Sequence, residues 1–347
     1  MIRPSSLLPL ADGFGRVHTD LRISVTDRCN IRCFYCMPNE NVTFRPQHEL
    51  LTFEEIERFV RAAATLGVNK LRLTGGEPLV RRDLPILVEK LAAIEAIDDL
   101  ALTTNGILLE EHAEALKQAG LKRINISLDA LDEPTFRRIA RRDGLDRVLA
   151  GIAAAQRVGF ASIKLNAVAI RGLTEEQIVP LGRFARERGL ELRFIEYMPL
   201  DAEKTWHSEQ VLSGDEILAT LEAEFGPLEP VAPGHPGQPA SDYRFVADVR
   251  SGHGGGKVGF INPVTQPFCG DCNRLRLTAE GQVRNCLFSQ TEWDARAILR
   301  DEAADRDGER ERLVRLIREC VGAKFAGHGI GGESFARPER AMYQIGG

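Results

Sequence analysis

Six of the seven cysteines in this chain form two groups of three, and this grouping is the strongest chemical signal in the sequence. The groups are Cys29, Cys33 and Cys36, followed much later by Cys269, Cys272 and Cys286. Cysteine thiolates bind iron and other soft metals. A structural zinc site uses four protein ligands, whereas a four-iron cluster held by three cysteines leaves one iron open to a small molecule. The spacing therefore predicts two iron–sulfur sites of this kind.

Other interpretations of the cysteines stay open at this point. Cys33-x-x-Cys36 alone is also typical of a redox dithiol, although Cys29 then has no role. The second group is also compatible with zinc, with His253 or Cys320 as the fourth ligand. If Cys320 is not a ligand, its amphipathic surroundings predict a small buried apolar residue.

The elements that must position these cysteines alternate regularly from Leu21 to Met198. Six β-branched, apolar segments are each followed by a longer segment of helical pattern: LRISVTD, KLRLTGG, LALTTNG, RINISLD, IKLNAVAI and ELRFIEYM. This alternation predicts an α/β fold with a parallel sheet, an incomplete (β/α)6 barrel of the TIM type with an open side. Thr52 and Glu55 form a predicted capping box, and Thr174 with Gln177 is expected to cap the helix before the sixth strand in the same way.

The composition changes after Phe225, and we divide the chain there. Residues 1–19 form an N-terminal segment, 20–225 the partial barrel, and 226–347 an α+β extension that carries the second cysteine group. The proline-rich stretch 226–240 is predicted to be a loop. A hairpin is expected to turn near Gly281, and a mostly helical region is expected to follow from Ala295 to Val321.

Several polar residues lie where the predicted strands end, which is where parallel α/β folds bind their ligands. Gly75-Gly76-Glu77-Pro78 follows the second strand, and paired glycines let a backbone approach a ligand closely. An ordinary strand-to-helix turn is the plainer interpretation. Arg274 and Arg276 share one face of a strand beside the second cysteine group, in a pattern suited to phosphate or to a solvated charged surface. Three further cations alternate with apolar neighbours in the predicted strands: Arg22, Arg72 and Lys164. This alternation allows them to face the interior of the barrel, in the same cavity as Arg274 and Arg276.

Composition limits the classes of partner. The 347 residues are 43% hydrophobic and 27% charged, with a formal net charge of −5. This balance argues against a general nucleic-acid or membrane-surface binder. There is no apolar run of the roughly 20 residues needed to span a bilayer, and the N-terminus does not resemble a secretion signal. We therefore expect a cytoplasmic location with reduced cysteines.

The motifs together resemble a known family. Cys-x3-Cys-x2-Cys followed by GGEP resembles the radical S-adenosylmethionine superfamily. Within that superfamily the resemblance is to GTP 3′,8-cyclase, also called molybdenum cofactor biosynthesis protein A. It extends from about residue 14 to 347 and rests on DLRISVTDRCNIRCFYCMP, LRLTGGEPLVRRDL, LTTNG, INISLDA, FIEYMP, FCGDCNRLRLT and the terminal Gly-Gly.

The resemblance implies two four-iron clusters and the radical cyclisation of GTP to 3′,8-cyclo-7,8-dihydro-GTP, the first step towards molybdopterin. It makes the two cysteine groups the cluster ligands and Gly346-Gly347 a tail that assists at the active site. It assigns S-adenosylmethionine contacts to Tyr35, Gly76, Ser127 and Met198. It assigns GTP contacts to Arg22, Arg72, Thr103, Lys164, Arg274 and Arg276.

The same resemblance implies an electron donor such as a flavodoxin or ferredoxin system and a downstream cyclic pyranopterin monophosphate synthase, and it leaves a homodimer open. No acid–base catalyst is expected, because the cofactors carry the difficult chemistry. Two alternatives remain: a radical enzyme acting on a peptide or another nucleoside, and a non-catalytic iron–sulfur electron carrier or redox sensor.

Overall fold

The computed structural model describes residues 9–200, 205–246, 256–332 and 335–346. The strands are β1 Asp20–Ser24, β2 Lys70–Thr74, β3 Asp99–Thr104, β4 Arg123–Ser127, β5 Ser162–Ala169, β6 Glu191–Glu196, β7 Leu228–Val231, β8 Ser241–Phe245, β9 Lys257–Ile261, β10 Arg274–Leu277, β11 Gln282–Arg284 and β12 Trp293–Asp294. The helices are α1 Phe53–Thr65, α2 Leu84–Ala92, α3 Leu109–Gln118, α4 Glu133–Ala140, α5 Leu145–Val158, α6 Ile178–Glu187, α7 Gly214–Phe225, α8 Ala295–Leu299, α9 Arg306–Gly322 and α10 Met342–Ile345.

All twelve strands join one sheet, in the order β12-β11-β10-β1-β2-β3-β4-β5-β6-β9-β8-β7. The predicted six-unit parallel core, β1 to β6, is confirmed. The sequence did not indicate that later strands lengthen this core on both sides. β10 pairs in parallel with β1, and β9 pairs in parallel with β6. The last third of the chain therefore supplies both flanks of the barrel wall.

The wall is amphipathic across its thickness, because successive side chains of a strand face opposite sides. Leu21 and Ile23 of β1 are fully buried in the main core, as are Leu71 and Leu73 of β2. The intervening Arg22 faces the interior of the barrel. The apolar face packs under the helices, and the polar face is left to line a cavity.

The helix caps show both a success and a failure of local prediction. Thr52 and Glu55 form the expected capping box at the start of α1. The expected cap at Thr174 is wrong, because its hydroxyl accepts a hydrogen bond from the Ile170 amide instead (2.8 Å). Gln177 does not contribute to the cap either, because its side-chain oxygen accepts a hydrogen bond from the Leu131 backbone amide (2.9 Å). Tertiary partners displace the local cap here.

The extension contains the predicted hairpin and helices. β10 and β11 pair antiparallel around Gly281, whose φ is 90°, and α8 and α9 follow. Cys320 of α9 is fully buried in the core, as predicted. The prediction of a loop over 226–240 is wrong for its first part, because Leu228–Val231 forms β7 and pairs with β8, and it is confirmed for the remainder. The division at residue 225 stays a prediction. Within the described residues, no helix is both long and apolar enough to cross a bilayer.

Candidate active site

The interior of the barrel contains a cavity of about 530 Å³ that extends between the two cysteine groups. Its wall includes the cysteines of both groups, Cys29, Cys33, Cys36, Cys269, Cys272 and Cys286. It also includes every residue predicted to contact S-adenosylmethionine or GTP, namely Tyr35, Gly76, Ser127, Met198, Arg22, Arg72, Thr103, Lys164, Arg274 and Arg276. The fold therefore gathers residues that are widely separated in sequence around one space.

The first cysteine group lies on the loop between β1 and α1, and the Gly-Gly turn after β2 holds this loop in place. The Gly76 amide donates to the Thr26 carbonyl (2.8 Å), and the Glu77 amide donates to the Arg28 carbonyl (2.7 Å). A Cβ on Gly76 would lie 2.3 Å from the Arg28 carbonyl oxygen. The glycine is thus required for contact with the cysteine loop itself, in addition to any contact with a ligand.

Glu77 joins the ends of β2 and β3 rather than facing the cavity with a free carboxylate. Its carboxylate accepts from the Thr104 hydroxyl (2.7 Å), the Asn105 amide (2.7 Å) and the Leu79 amide (3.0 Å). Burial raises the pKa of Glu77 to about 7 despite these hydrogen bonds. The Asn105 side chain in turn lies 3.7 Å from Cys29 Sγ. One buried group therefore orders the surroundings of the first cysteines.

The first group fits a cluster held by three thiolates. The amides of Cys36 and Met37 both donate to the Cys33 carbonyl, at 3.0 and 2.8 Å, which closes a tight turn. Burial raises the pKa of Cys29 to about 11 and also raises the pKa values of Cys33 and Cys36. These thiols are therefore protonated and neutral until metal binding displaces their protons.

The second group lies on the far side of the cavity. Cys269 begins a short 3-10 turn, Cys272 ends it, and Cys286 follows β11. Burial favours the neutral thiol of Cys272, but the cations of Arg274 and Lys324 outweigh it and lower the pKa of Cys272 to about 6. The Phe288 amide lies 3.5 Å from Cys286 Sγ as a donor. This environment favours the thiolate form of Cys272, whereas burial raises the pKa of Cys269.

The zinc alternative is not supported. In the part of the chain that the structure describes, no three His, Cys, Asp or Glu side chains form a group able to hold a single metal ion. Cluster thiolates bind different irons, so wider separation of the sulfurs is compatible with a cluster. Cys320 packs in the hydrophobic core, and His253 lies outside the described residues.

A row of three arginines crosses the cavity between the cysteine groups. Arg22 is in register with Arg72 on one side and with Arg276 on the other. Adjacent strands are about 4.8 Å apart, so the three residues are neighbours on the sheet, and the charges of Arg276 and Arg72 both act on Arg22. Burial lowers the pKa of Arg72 and of Arg276 to about 10. Burial and the repulsion from Arg276 and Arg274 also lower the pKa of Arg22.

These arginines lack part of their usual hydrogen bonding. Buried Nε atoms of Arg22, Arg72 and Arg274 have no hydrogen-bond partner among the described residues. Arg72 Nη1 donates to the Thr103 hydroxyl at 3.3 Å, and Arg274 lies over the Phe268 ring. Buried cations with spare donors require an anion, and guanidiniums suit phosphate oxygens.

Lys164 differs from the arginine row, because it already has a counter-ion. Its Nζ lies 2.6 Å from Glu191, which also pairs with Arg193 at 2.7 Å. Arg193 was not predicted, nor were Lys70 and Arg123, although all three line the cavity. Each lies two positions from another cavity residue on the same strand. The alternation of side chains in β2, β4 and β6 could therefore have predicted that all three face the cavity.

The structure also gives hydrogen-bond partners to Tyr35 and Arg276. The Tyr35 hydroxyl donates to Asp129 at 2.7 Å, and Asp129 accepts from the Val168 amide at 2.8 Å. Arg276 Nη1 donates to the carbonyl of Gly346, so the start of the predicted tail reaches the arginine row. Gly347 lies outside the described residues. The proline-rich loop, for which the sequence indicated no role, brings His235 to the cavity wall.

Comparisons with known proteins agree along the whole chain. The family model described as Radical SAM superfamily matches residues 23–185, and that described as Molybdenum Cofactor Synthesis C matches residues 190–330. A GTP 3′,8-cyclase of Rhodopirellula baltica is 53% identical over 98% of this chain and 92% of the relative. One from Acidothermus cellulolyticus is 49% identical over 89% and 85%, respectively.

Solved structures resemble the fold at much lower identity. The crystal structure of Streptococcus suis SuiB bound to S-adenosylmethionine has a TM-score of 0.62 and 17% identity. It covers 92% of this chain and 76% of that protein. This similarity supports the architecture alone.

Proposed function

The chain belongs to the GTP 3′,8-cyclase family of radical S-adenosylmethionine enzymes, and we propose that its cavity holds S-adenosylmethionine beside the first cysteine group and GTP between the two groups. The enzyme uses two four-iron clusters and converts GTP to 3′,8-cyclo-7,8-dihydro-GTP, the first step of molybdenum cofactor biosynthesis. The observation that carries the arrangement is the in-register row of Arg22, Arg72 and Arg276.

The arginine row is proposed to bind the triphosphate. Arg274 and Arg276 approach from the second cysteine group, and Arg22 and Arg72 from the barrel wall. A triphosphate supplies enough negative charge to offset several buried guanidiniums, and each bidentate contact also fixes orientation. Lys164 adds its ammonium group from β5 while remaining shared with Glu191. The base of GTP is then directed towards Cys269, Cys272 and Cys286.

S-adenosylmethionine is proposed to lie at the opposite end, against Tyr35, Gly76, Ser127 and Met198. A four-iron cluster held by Cys29, Cys33 and Cys36 would supply the reducing electron for the cleavage of S-adenosylmethionine. The chain's own task is to hold the two substrates in near contact and to exclude water, which reduces side reactions of a reactive species. Gly346 carries the tail to Arg276, so the tail is proposed to help order this guanidinium for catalysis.

The wider setting of the enzyme stays a prediction. We propose a flavodoxin or ferredoxin system as electron donor, a cyclic pyranopterin monophosphate synthase as the next enzyme, and a cytoplasmic location. A homodimer also stays untested. The net charge of −5 argues against nucleic acid as a partner.

Anaerobic reconstitution tests the proposal directly. Protein loaded with iron and sulfide is reduced with dithionite and given GTP and S-adenosylmethionine, and products are identified by mass spectrometry. We expect 5′-deoxyadenosine, methionine and a GTP-derived cyclised product. Cleavage of S-adenosylmethionine with intact GTP would favour a peptide or another nucleoside as substrate. Absence of 5′-deoxyadenosine would favour the electron carrier.

A further inference from the structure

A buried lysine lies beside the second cysteine group without having been predicted. Lys324 follows α9 and is only 6% exposed. Its Nζ lies 3.6 Å from Cys272 Sγ and donates to the Arg274 carbonyl at 3.0 Å. It therefore contacts both a cluster ligand and the backbone of a residue proposed to bind phosphate.

Among the described residues, no Asp or Glu forms an ion pair with Lys324. Cys272 Sγ, 3.6 Å from its Nζ, is the contact that can carry an opposite charge when it is a thiolate. Burying an ammonium group is costly unless an opposite charge lies nearby. The second cysteine group in its thiolate, metal-bound state supplies that charge.

A second cation fastens the lysine's segment to the cysteine turn. Arg16 Nη1 donates to the Cys269 carbonyl (2.7 Å) and to the Ala326 carbonyl (2.9 Å), and Nη2 donates to the Phe325 carbonyl (2.7 Å). Asp12 orients this guanidinium from 2.5 Å. A buried hydrogen-bond network therefore fixes the segment that carries Lys324, and with it the position of Lys324 against Cys272.

We propose that Lys324 is the charge partner of the second cluster, a positioning residue that stabilises its reduced, more negative state and so raises its reduction potential. The inference rests on the second cluster of the proposed function. Nearby charge is one of the factors that set the potential of an iron–sulfur cluster. Placed at the GTP end of the cavity, the cation would hold this cluster at the potential that the reaction requires.

The test isolates the second cluster. In a Cys29→Ala, Cys33→Ala, Cys36→Ala background, the remaining cluster is reconstituted and titrated anaerobically with dithionite, with electron paramagnetic resonance as the readout. Lys324→Gln should shift the midpoint to a more negative potential, and Lys324→Arg should restore it. Lys122→Gln is the matched control, because Lys122 also donates to a backbone carbonyl but is exposed.

Each outcome decides the question. An unchanged midpoint in Lys324→Gln overturns the inference. If Lys324→Gln loses iron and Lys324→Arg retains it, the inference is supported, because cluster assembly then requires the positive charge. Loss of iron in both variants overturns the inference. If the background protein holds no cluster although its Lys324 is intact, the proposed second cluster itself is contradicted. This result is distinct from a failure of the proposed role of Lys324.

Discussion

Arg22 and Lys164 show two ways in which single residues carry positive charge in this cavity. Lys164 shares Glu191 with Arg193, so its charge is balanced within the protein. Arg22 lies between two other guanidiniums, and burial and repulsion lower its pKa. A residue of the second kind destabilises the empty protein and is retained for what it binds. The arginine row therefore supports the proposed anion site more strongly than Lys164 does.

Replacing Arg22 should affect stability and binding in opposite directions. Arg22→Met keeps side-chain bulk but removes a buried, repelled charge, so the apo protein should gain about 1–2 kcal/mol in free energy of unfolding. GTP should lose a charged contact worth about 1.5–3 kcal/mol, or roughly ten- to hundredfold in Kd. Urea unfolding and calorimetric GTP binding measure the two effects.

The control for this experiment is Arg61→Met, since Arg61 lies on the exposed face of α1 and pairs only with Glu57 among the described ion pairs. It should change neither quantity by more than about 0.5 kcal/mol. Unchanged GTP affinity in Arg22→Met would remove Arg22 from the proposed phosphate site.

At the scale of elements, the position of the first cysteine group depends on contact between two loops. The turn after β2 packs on the cysteine loop through backbone hydrogen bonds, and Gly76 leaves no space for a Cβ. Gly76→Ala should push the loops apart, with an overpacking cost of about 1–3 kcal/mol. We expect the folded variant to lose the iron of the first cluster and to form no 5′-deoxyadenosine.

Gly270 offers a matched comparison within the second cysteine turn. A Cβ there meets nothing within 4 Å, so Gly270→Ala should retain the iron of both clusters. Iron analysis and absorbance of the reconstituted variants separate the two cases. Full iron content in Gly76→Ala would mean that the loop contact tolerates displacement and that the glycine serves the ligand instead.

The N-terminal segment makes stability depend on pH. Burial, together with the charge of Lys324, lowers the pKa of His18 to about 4, from an ordinary value of about 6.5. The unfolded chain therefore binds a proton between pH 6.5 and 4 that the folded chain refuses, and stability falls as the pH falls through this window. At pH 5 the cost is about 2 kcal/mol.

His18→Gln should remove this contribution. The loss of unfolding free energy between pH 7 and pH 5 should then be about 2 kcal/mol smaller than in the parent apo protein, as measured by urea unfolding. The exposed His48→Gln variant should behave like the parent. Equal pH dependence in all three proteins would show that His18 accepts its proton in the folded state.

Local patterns predicted the elements better than their partners. Alternation in β1 and β2 permitted the cavity face for Arg22 and Arg72, where the structure has them, and Thr52 caps α1 as expected. Thr174 failed because a tertiary contact took its hydroxyl. No local pattern predicted a role for Lys324, because the cysteine that it contacts, Cys272, lies 52 residues away in sequence. Residue contacts of this range follow from topology, which periodicity does not encode.

At the scale of the whole molecule, the barrel wall is completed by the end of the chain. β9 and β10 lie beyond residue 225, yet they pair in parallel with β6 and β1. The apolar residues Leu275 and Leu277 lie in register with Leu21 and Ile23. The second family model begins at residue 190, so it includes β6 of the barrel together with most of the extension. Barrel and extension therefore share one sheet.

This sharing predicts that the barrel segment is not independently stable. A fragment of residues 1–225 would expose β1 and β6 as long edges with unpaired backbone groups and uncovered apolar side chains, a state that favours aggregation. We expect it to elute as aggregates in size-exclusion chromatography and to be digested rapidly by proteases, while the full chain resists. Addition of the separately expressed 226–347 fragment during refolding should recover soluble protein, because β9 and β10 cover both edges. A monomeric, protease-resistant 1–225 fragment would show instead that the six βα units fold without their flanking strands.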